Sequence, residues 1–225
     1  MDTEKIFSYL KKHKYEFLLF GLIQHLFAGI FLSDMIFYRN IICPLNMLIL
    51  GIASFGIFTE KELWKRRIKN ILLLFVLVLP IFLPIFEYVP QYLILLSIVY
   101  VIYFLFIFWE LLLFLVKPGY INVDIISACA CGYLLIIEIS TFLMQVIFYN
   151  TPEAFKGIIS RSNSEIFIDF VYFSSITITS IGFGDIIPNN HHTKLLIAFF
   201  GISGQFYSVV LVGILISKFS STSQN

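Results

Sequence analysis

The residues with chemistry to offer stand together in Tyr172–Pro188, which reads YFSSITITSIGFGDIIP. Gly182 and Gly184 lie two positions apart and run directly into Asp185. An L-residue strand alternates its carbonyls from side to side, whereas glycine takes left-handed or mirror-β angles without a Cβ penalty. Two glycines at this spacing let the intervening peptide units turn their oxygens the same way. A row of such oxygens, contributed by several chains, can replace the hydration shell of a bare monovalent cation. The expected oxygens are the carbonyls of Ser180, Ile181, Gly182 and Phe183, with the Ser180 hydroxyl at the inner mouth. Irregular backbone of this kind is tolerated at membrane depth only where it lines a cavity.

The elements that must hold this stretch are legible on either side. Ser162 and Glu165 have the S-x-x-E spacing of a helix-capping box. A helix over 165–177 is too short to cross a bilayer, which predicts a re-entrant helix. Its negative C-terminal dipole end would face a cation. Long apolar runs at 125–149 and 193–217 bracket it as an outer and an inner helix.

Composition favours the same solvent. Of 225 residues, 59% are hydrophobic and 13% charged, against about 25% charge in a soluble domain. The mean hydropathy is +0.93, and a chain this small is mostly surface, so it cannot hide that much apolar area from water. A soluble enzyme, a disordered chain and a nucleic-acid binder are all excluded as readings, and the net charge of +1 points to no acidic partner. Cys43, Cys129 and Cys131 lie in apolar runs without disulfide or metal-site spacing and read as small core residues.

Further apolar runs at 16–38, 41–58, 71–89 and 91–116 make six spans, and the all-α membrane fold adds the re-entrant helix and filter. The first run follows Lys11, Lys12 and Lys14 but is too long for a signal peptide and reads as a retained helix. With the N-terminus inside, 11 of the 15 Lys and Arg residues fall on the cytoplasmic side, including the TEKELWKRRIKN loop at 59–70. Both termini are then cytoplasmic, in a multi-pass protein of the cell membrane with lipids as its surroundings. Pro118 and Gly119 mark a linker at 117–124 between a four-helix domain at 1–116 and a pore domain at 125–218. A short cytoplasmic tail occupies 219–225. Trp64 and Trp109 read as interfacial anchors.

The string Ser180-Ile181-Gly182-Phe183-Gly184-Asp185, set between an outer and an inner helix, resembles the pore signature of tetrameric potassium channels. The resemblance covers about residues 125–218 and implies a homotetramer that conducts K⁺ passively through backbone carbonyls. K⁺ ions would bind at Ser180, Ile181, Gly182, Phe183 and Gly184, with no organic cofactor, no catalytic residues and no nucleic acid. Thr177, Thr179, Asp185 and Tyr172 are implied as filter support. Two departures stand out: the family's usual Thr is Ser180, and its usual Tyr is Phe183, which loses a bracing hydroxyl and predicts a filter prone to inactivate. The family's Asp bonds to a pore-helix partner. The matching aromatic positions here hold Tyr172 and Phe173, and Ile176 stands where some relatives place a Glu. Asp185 is then either bonded to the Tyr172 hydroxyl or a free carboxylate that concentrates cations.

Gly201, Gly204 and Gly213 punctuate the inner helix, and Gly204 stands where the family places a gating hinge. A mid-helix Gly is about 1 kcal/mol worse than Ala, so it serves either as a hinge or for close packing. Gln205, Ser208, Val212 and Ile216 share one helix face, which lines the cavity or packs on a neighbouring helix. The fourth run has Glu110 as its only charge. Each gating charge yields about 2.3 kcal/mol per 100 mV, so little voltage dependence is expected. No soluble domain follows the last run, so direct gating by calcium or cyclic nucleotides is not expected. Glu138, His25 and Gln24 fall mid-span and Asp34 near an outer end. Two readings stand for such residues: a proton- or ion-sensing pair of Glu138 with His25, or neutral or hydrogen-bonded helix contacts. His191 and His192 follow the filter as pH sensors or ordinary surface residues. The rival readings are a weakly selective cation channel and a non-conducting regulatory subunit. A secondary transporter would show paired broken helices, and a single re-entrant segment is present.

Overall fold

The computed structural model describes residues 13–31, 34–54, 63–86, 88–116, 123–159 and 162–222, with backbone alone at 35, 39, 63–66, 69, 212 and 214–222. Several expectations lie outside the described residues: Lys11 and Lys12, the loop at 59–62, the Trp64 anchor, most of the linker at 117–124, the side chains of Val212 and Ile216, and the tail beyond 222.

The chain is mainly helical. Helix α1 (Lys14–Phe27) ends in a 3₁₀ turn, Ala28–Phe31. A helical turn at Met35–Phe37 and a π turn at Tyr38–Ile42 lead into α2 (Cys43–Ser54), followed by α3 (Leu63–Phe86) and α4 (Pro90–Val116). Then come α5 (Val123–Asn150), a 3₁₀ turn at Pro152–Ala154, β1 (Phe155–Lys156), α6 (Asn163–Ile178), β2 (Ile187–Pro188) and α7 (His191–Thr222). Among the described residues three helices are long and apolar enough to cross a membrane: Pro90–Val116, Val123–Asn150 and His191–Leu211. Asn40–Ser54 and Asn70–Phe86 are shorter apolar helices.

The apolar run at 16–38 is not one continuous helix. Asp34 caps a new turn, accepting from the N–H of Ile36 at 2.9 Å and of Phe37 at 3.1 Å. A carboxylate that satisfies two otherwise orphan donors favours a restart at that point. Asp34 is exposed there rather than buried among helices.

Helix α5 is the hub, meeting α1, α4, α6 and α7. Of its most apolar stretch 78% is buried, against 39% for α4 and 17% for α7. Lipid tails are as apolar as Leu, so helices in a bilayer associate by close packing and hydrogen bonds. The sequence of α5 suits that rule: Ser127, Ala128, Cys129, Cys131, Gly132, Ser140 and Thr141 are all small and all buried. The Tyr207 hydroxyl of α7 donates to the Cys129 carbonyl at 2.9 Å. The N-terminal helices therefore pack on the outer helix of their own chain.

Pro80 and Pro84 sit inside α3. Proline lacks the N–H that would bond four residues back, so Pro80 frees the Val76 carbonyl. Tyr100 on α4 donates its hydroxyl to that carbonyl at 3.0 Å. A buried tyrosine thus mends the backbone that the proline interrupts, as bilayer burial requires.

Two short strands fasten the outer loops. β1 pairs antiparallel with β2, with Phe155 opposite Pro188 and Lys156 opposite Ile187. The Asn189 N–H donates to the Ala154 carbonyl at 2.8 Å, and Asn190 Oδ1 accepts from the Thr193 N–H at 2.9 Å, capping α7. The segment leaving the Gly-rich stretch is thereby tied to the loop entering α6.

Candidate functional site

The site is built from the C-terminal end of α6, the irregular stretch 179–186 and the middle of α7. Helix α6 begins at a closed capping box: Ser162 Oγ accepts from the Glu165 N–H at 3.3 Å, and Glu165 Oε2 accepts from the Ser162 N–H at 3.2 Å. It is held to α5 by small hydroxyls, with Ser174 Oγ 3.2 Å from both Ser140 Oγ and Thr141 Oγ1. Sequence reasoning passed over Ser140, Thr141 and Ser174. Their one legible signal was a run of hydroxyl residues within apolar helices.

The backbone past α6 alternates in hand. Ser180, Gly182 and Gly184 have φ of +61°, +55° and +81°, and the residues between them have negative φ. Alternation in the sign of φ can turn successive N–H groups to one side. The N–H groups have a partner: Ser180 donates to Thr177 O at 3.0 Å, while Ile181 and Gly182 both donate to Ile176 O at 2.8 and 3.1 Å. The last carbonyls of α6 would otherwise be orphaned, so the helix end and the stretch that follows satisfy each other. Ser180, Ile181, Gly182, Phe183 and Gly184 are all exposed in the single chain.

Thr179 donates its hydroxyl to Ser175 O at 2.7 Å within its own turn, and Thr177 is half-buried. Tyr172 donates its hydroxyl to Asp185 Oδ2 at 2.7 Å. That bond holds the Asp185 carboxyl below the usual carboxylate range, with Tyr172 the largest cause. The rings of Tyr172 and Phe183 are parallel within 5° at 6.5 Å. With the hydroxyl absent from Phe183, ring contact is the lateral support that this residue has, and it remains 71% exposed.

Gly204 is buried, and a Cβ there would stand 2.6 Å from Ile178 Cγ2 and 3.2 Å from Ile178 O. Close approach of α7 to the end of α6 therefore requires glycine at this position. Helix α7 runs through Gly204 without interruption. Gln205 Nε2 donates to Ser180 Oγ at 2.8 Å and lies 3.4 Å from Ile178 O. Ser208 returns its hydroxyl to Gly204 O at 2.9 Å. His191 and His192 are exposed in the first turn of α7, with ring centroids 3.8 Å apart.

Away from this stretch, His25 Nδ1 lies 2.7 Å from Glu138 Oε1, with the two side chains 1% and 0% exposed. Gln24 bonds to Asn46 across α1 and α2. The structure thus brings together His25 and Glu138, 113 residues apart in the chain.

The family described as an ion channel matches residues 133–221, from α5 through the alternating stretch to α7. Over this stretch the chain is similar to an ion-channel family. Curated relatives are similar over part of the same chain. The chain is 37% identical over 71 residues to two pore potassium channel a of Oryza sativa subsp. japonica, covering 32% of this chain and 18% of the relative. It is 29% identical over 75 residues to two-pore potassium channel 4 of Arabidopsis thaliana, covering 33% of this chain and 26% of that protein. It is 41% identical over 51 residues to two-pore potassium channel 1 of Arabidopsis thaliana, covering 23% and 13%. The matched stretches span 26% or less of each relative's length. No solved structure matches the chain significantly. The ion-channel match takes in every part of the geometry above except the N-terminal helices.

Proposed function

We propose that this channel conducts K⁺ selectively and passively, with four copies of the chain contributing one filter strand each around a common axis. One observation carries the reading: φ is positive at Ser180, Gly182 and Gly184 in alternation, while the N–H groups of Ser180, Ile181 and Gly182 turn back onto α6. Carbonyls freed together on one face are the ligands that a dehydrated K⁺ requires. A single strand supplies one side of such a cage, and fourfold repetition closes it. The weak enclosure of α7, 17% buried, leaves an apolar face for the neighbouring copies and the lipid.

In this reading Ser180, Ile181, Gly182, Phe183 and Gly184 hold the permeant ions. Thr177, Thr179, Tyr172 and Asp185 support the filter from behind. Gly204, Gln205, Ser208, Val212 and Ile216 face the cavity and the inner gate. Residues 1–116 form a four-helix domain, 117–124 a cytoplasmic linker and 125–218 the pore. The protein crosses the cell membrane six times with both termini in the cytoplasm, since 11 of its 15 Lys and Arg residues then lie inside. Helix α4 carries Glu110 and no Lys or Arg, so depolarisation finds no positive charge there to move.

The test is the reversal potential of the purified protein in planar bilayers with K⁺ on one side and Na⁺ on the other. A value near the K⁺ limit is expected. A reversal potential near zero with measurable current would overturn K⁺ selectivity, and a steep conductance–voltage curve would overturn voltage independence.

A further inference from the structure

We propose that Gln205 is a positioning residue that holds the inner end of the filter in its ion-binding conformation by clamping Ser180. This inference rests on the channel reading above and adds to it a link from the inner helix to a particular filter torsion.

Ser180 is the one non-glycine residue with positive φ among the described residues, at +61°. A Cβ in that region crowds the following carbonyl, so a serine left alone relaxes toward the right-handed region. Residues persist in such conformations only where their surroundings over-determine them. Three restraints converge on this residue. Its N–H is held by Thr177 O at 3.0 Å, and the next N–H, that of Ile181, by Ile176 O at 2.8 Å. The third restraint comes from another helix: Gln205 Nε2 reaches Ser180 Oγ at 2.8 Å.

The clamp is itself oriented. A carboxamide nitrogen carries two hydrogens. Those of Gln205 have two acceptors, Ser180 Oγ and the more distant Ile178 O at 3.4 Å. The adjoining Gly204 packs directly on Ile178, so the helix backbone beneath the amide sits against the same turn that the amide grips. Close packing fixes the height of Gln205 along α7, and the forked donor fixes the turn of its head group.

The consequence follows from backbone geometry. If Ser180 leaves the left-handed region, the alternation starts at Gly182 instead, and the peptide planes on either side of Ser180 no longer share a direction. The innermost carbonyls then leave the row while the outer ones stay. Because Gln205 rides on α7, movement of that helix at its Gly204 contact reaches the filter through this bond. Length matters: asparagine is one methylene short, and leucine fills similar space but donates nothing.

The experiment measures K⁺/Na⁺ permeability ratios from bi-ionic reversal potentials of the full chain in planar bilayers, with oligomer size checked by gel filtration. Q205L and S180A are each expected to lower the ratio at least tenfold. Q205L/S180A should be no worse than S180A alone, because both remove one bond. S180T, which keeps a hydroxyl, should retain selectivity, and Q205N should behave like Q205L. If Q205L does not assemble, Q205N carries the comparison. A Q205L or Q205N channel within twofold of the unmodified ratio overturns the clamp, as do effects that multiply in the double variant. Equal passage of K⁺ and Na⁺ by the unmodified chain overturns the selectivity reading itself and the clamp with it.

Discussion

Removing one partner of the His25–Glu138 pair should destabilise the protein, and removing both should restore most of the loss. The two groups meet at 2.7 Å, essentially unexposed, with Phe142 and Phe167 rings 6.1 and 5.1 Å from the imidazole. His25→Leu leaves the Glu138 carboxyl in that aromatic pocket without its partner. A buried polar group deprived of its hydrogen bond costs about 1–3 kcal/mol, rising to about 3–5 kcal/mol where a charge is stranded. Glu138→Leu strands the imidazole in the same way. With both replaced, apolar groups fill the site and no polar atom is orphaned, which is often close to neutral. For a chain of this length 1 kcal/mol corresponds to roughly 2–4 °C in Tm. The lower range predicts a drop of roughly 2–12 °C for each single variant. The assay is thermal unfolding in lipid nanodiscs for both singles and the double. A double variant whose loss equals the sum of the singles would refute the reasoning, because independent sites add and coupled ones do not.

Three further outcomes follow from the site. The Tyr172 bond lowers the Asp185 pKa, so its stabilisation is complete above the unfolded pKa and is lost as pH falls through the lowered folded value. Tyr172→Phe should therefore bring acid inactivation from the outer side to a higher pH than in the unmodified channel, read as the midpoint of current against external pH. Gly182→Ala meets no atom within 4 Å in the single chain, yet it must hold φ at +55°. A loss of about 1–2 kcal/mol per chain is expected, with K⁺ selectivity abolished and α5–α6 packing intact by hydrogen exchange. Phe183→Tyr should slow inactivation by restoring a hydroxyl to the outer filter, and unchanged inactivation kinetics would count against a loosely braced Phe183.

Much of the site was legible because its signals are local. Ser162 and Glu165 are three residues apart, and a capping box is a rule about that separation. Gly182 and Gly184 announce left-handed backbone because glycine alone adopts it freely. The same logic named Ser180 as a filter residue but could not foresee its left-handed backbone, since a serine carries no mark of a positive φ that its neighbours impose. Gly204 raised the question of hinge or packing without an answer, and the packing half was decided by Ile178 arriving from another helix. Tyr172 and Asp185 were candidates for a bond or for separation, and the loop geometry put their oxygens 2.7 Å apart. The run at 16–38 misled as a single span, because hydropathy does not register a cap such as Asp34.

By itself, then, the sequence determined the solvent, the helical character and the Gly-punctuated backbone, because each depends on composition or on residues a few positions apart. Tertiary structure decided which distant groups complete one another: Tyr100 with the carbonyl freed by Pro80, His25 with Glu138, and Gln205 with Ser180. These pairings depend on how helices cross, and helix crossing is set by side-chain packing summed over many residues. No short stretch of sequence contains that sum.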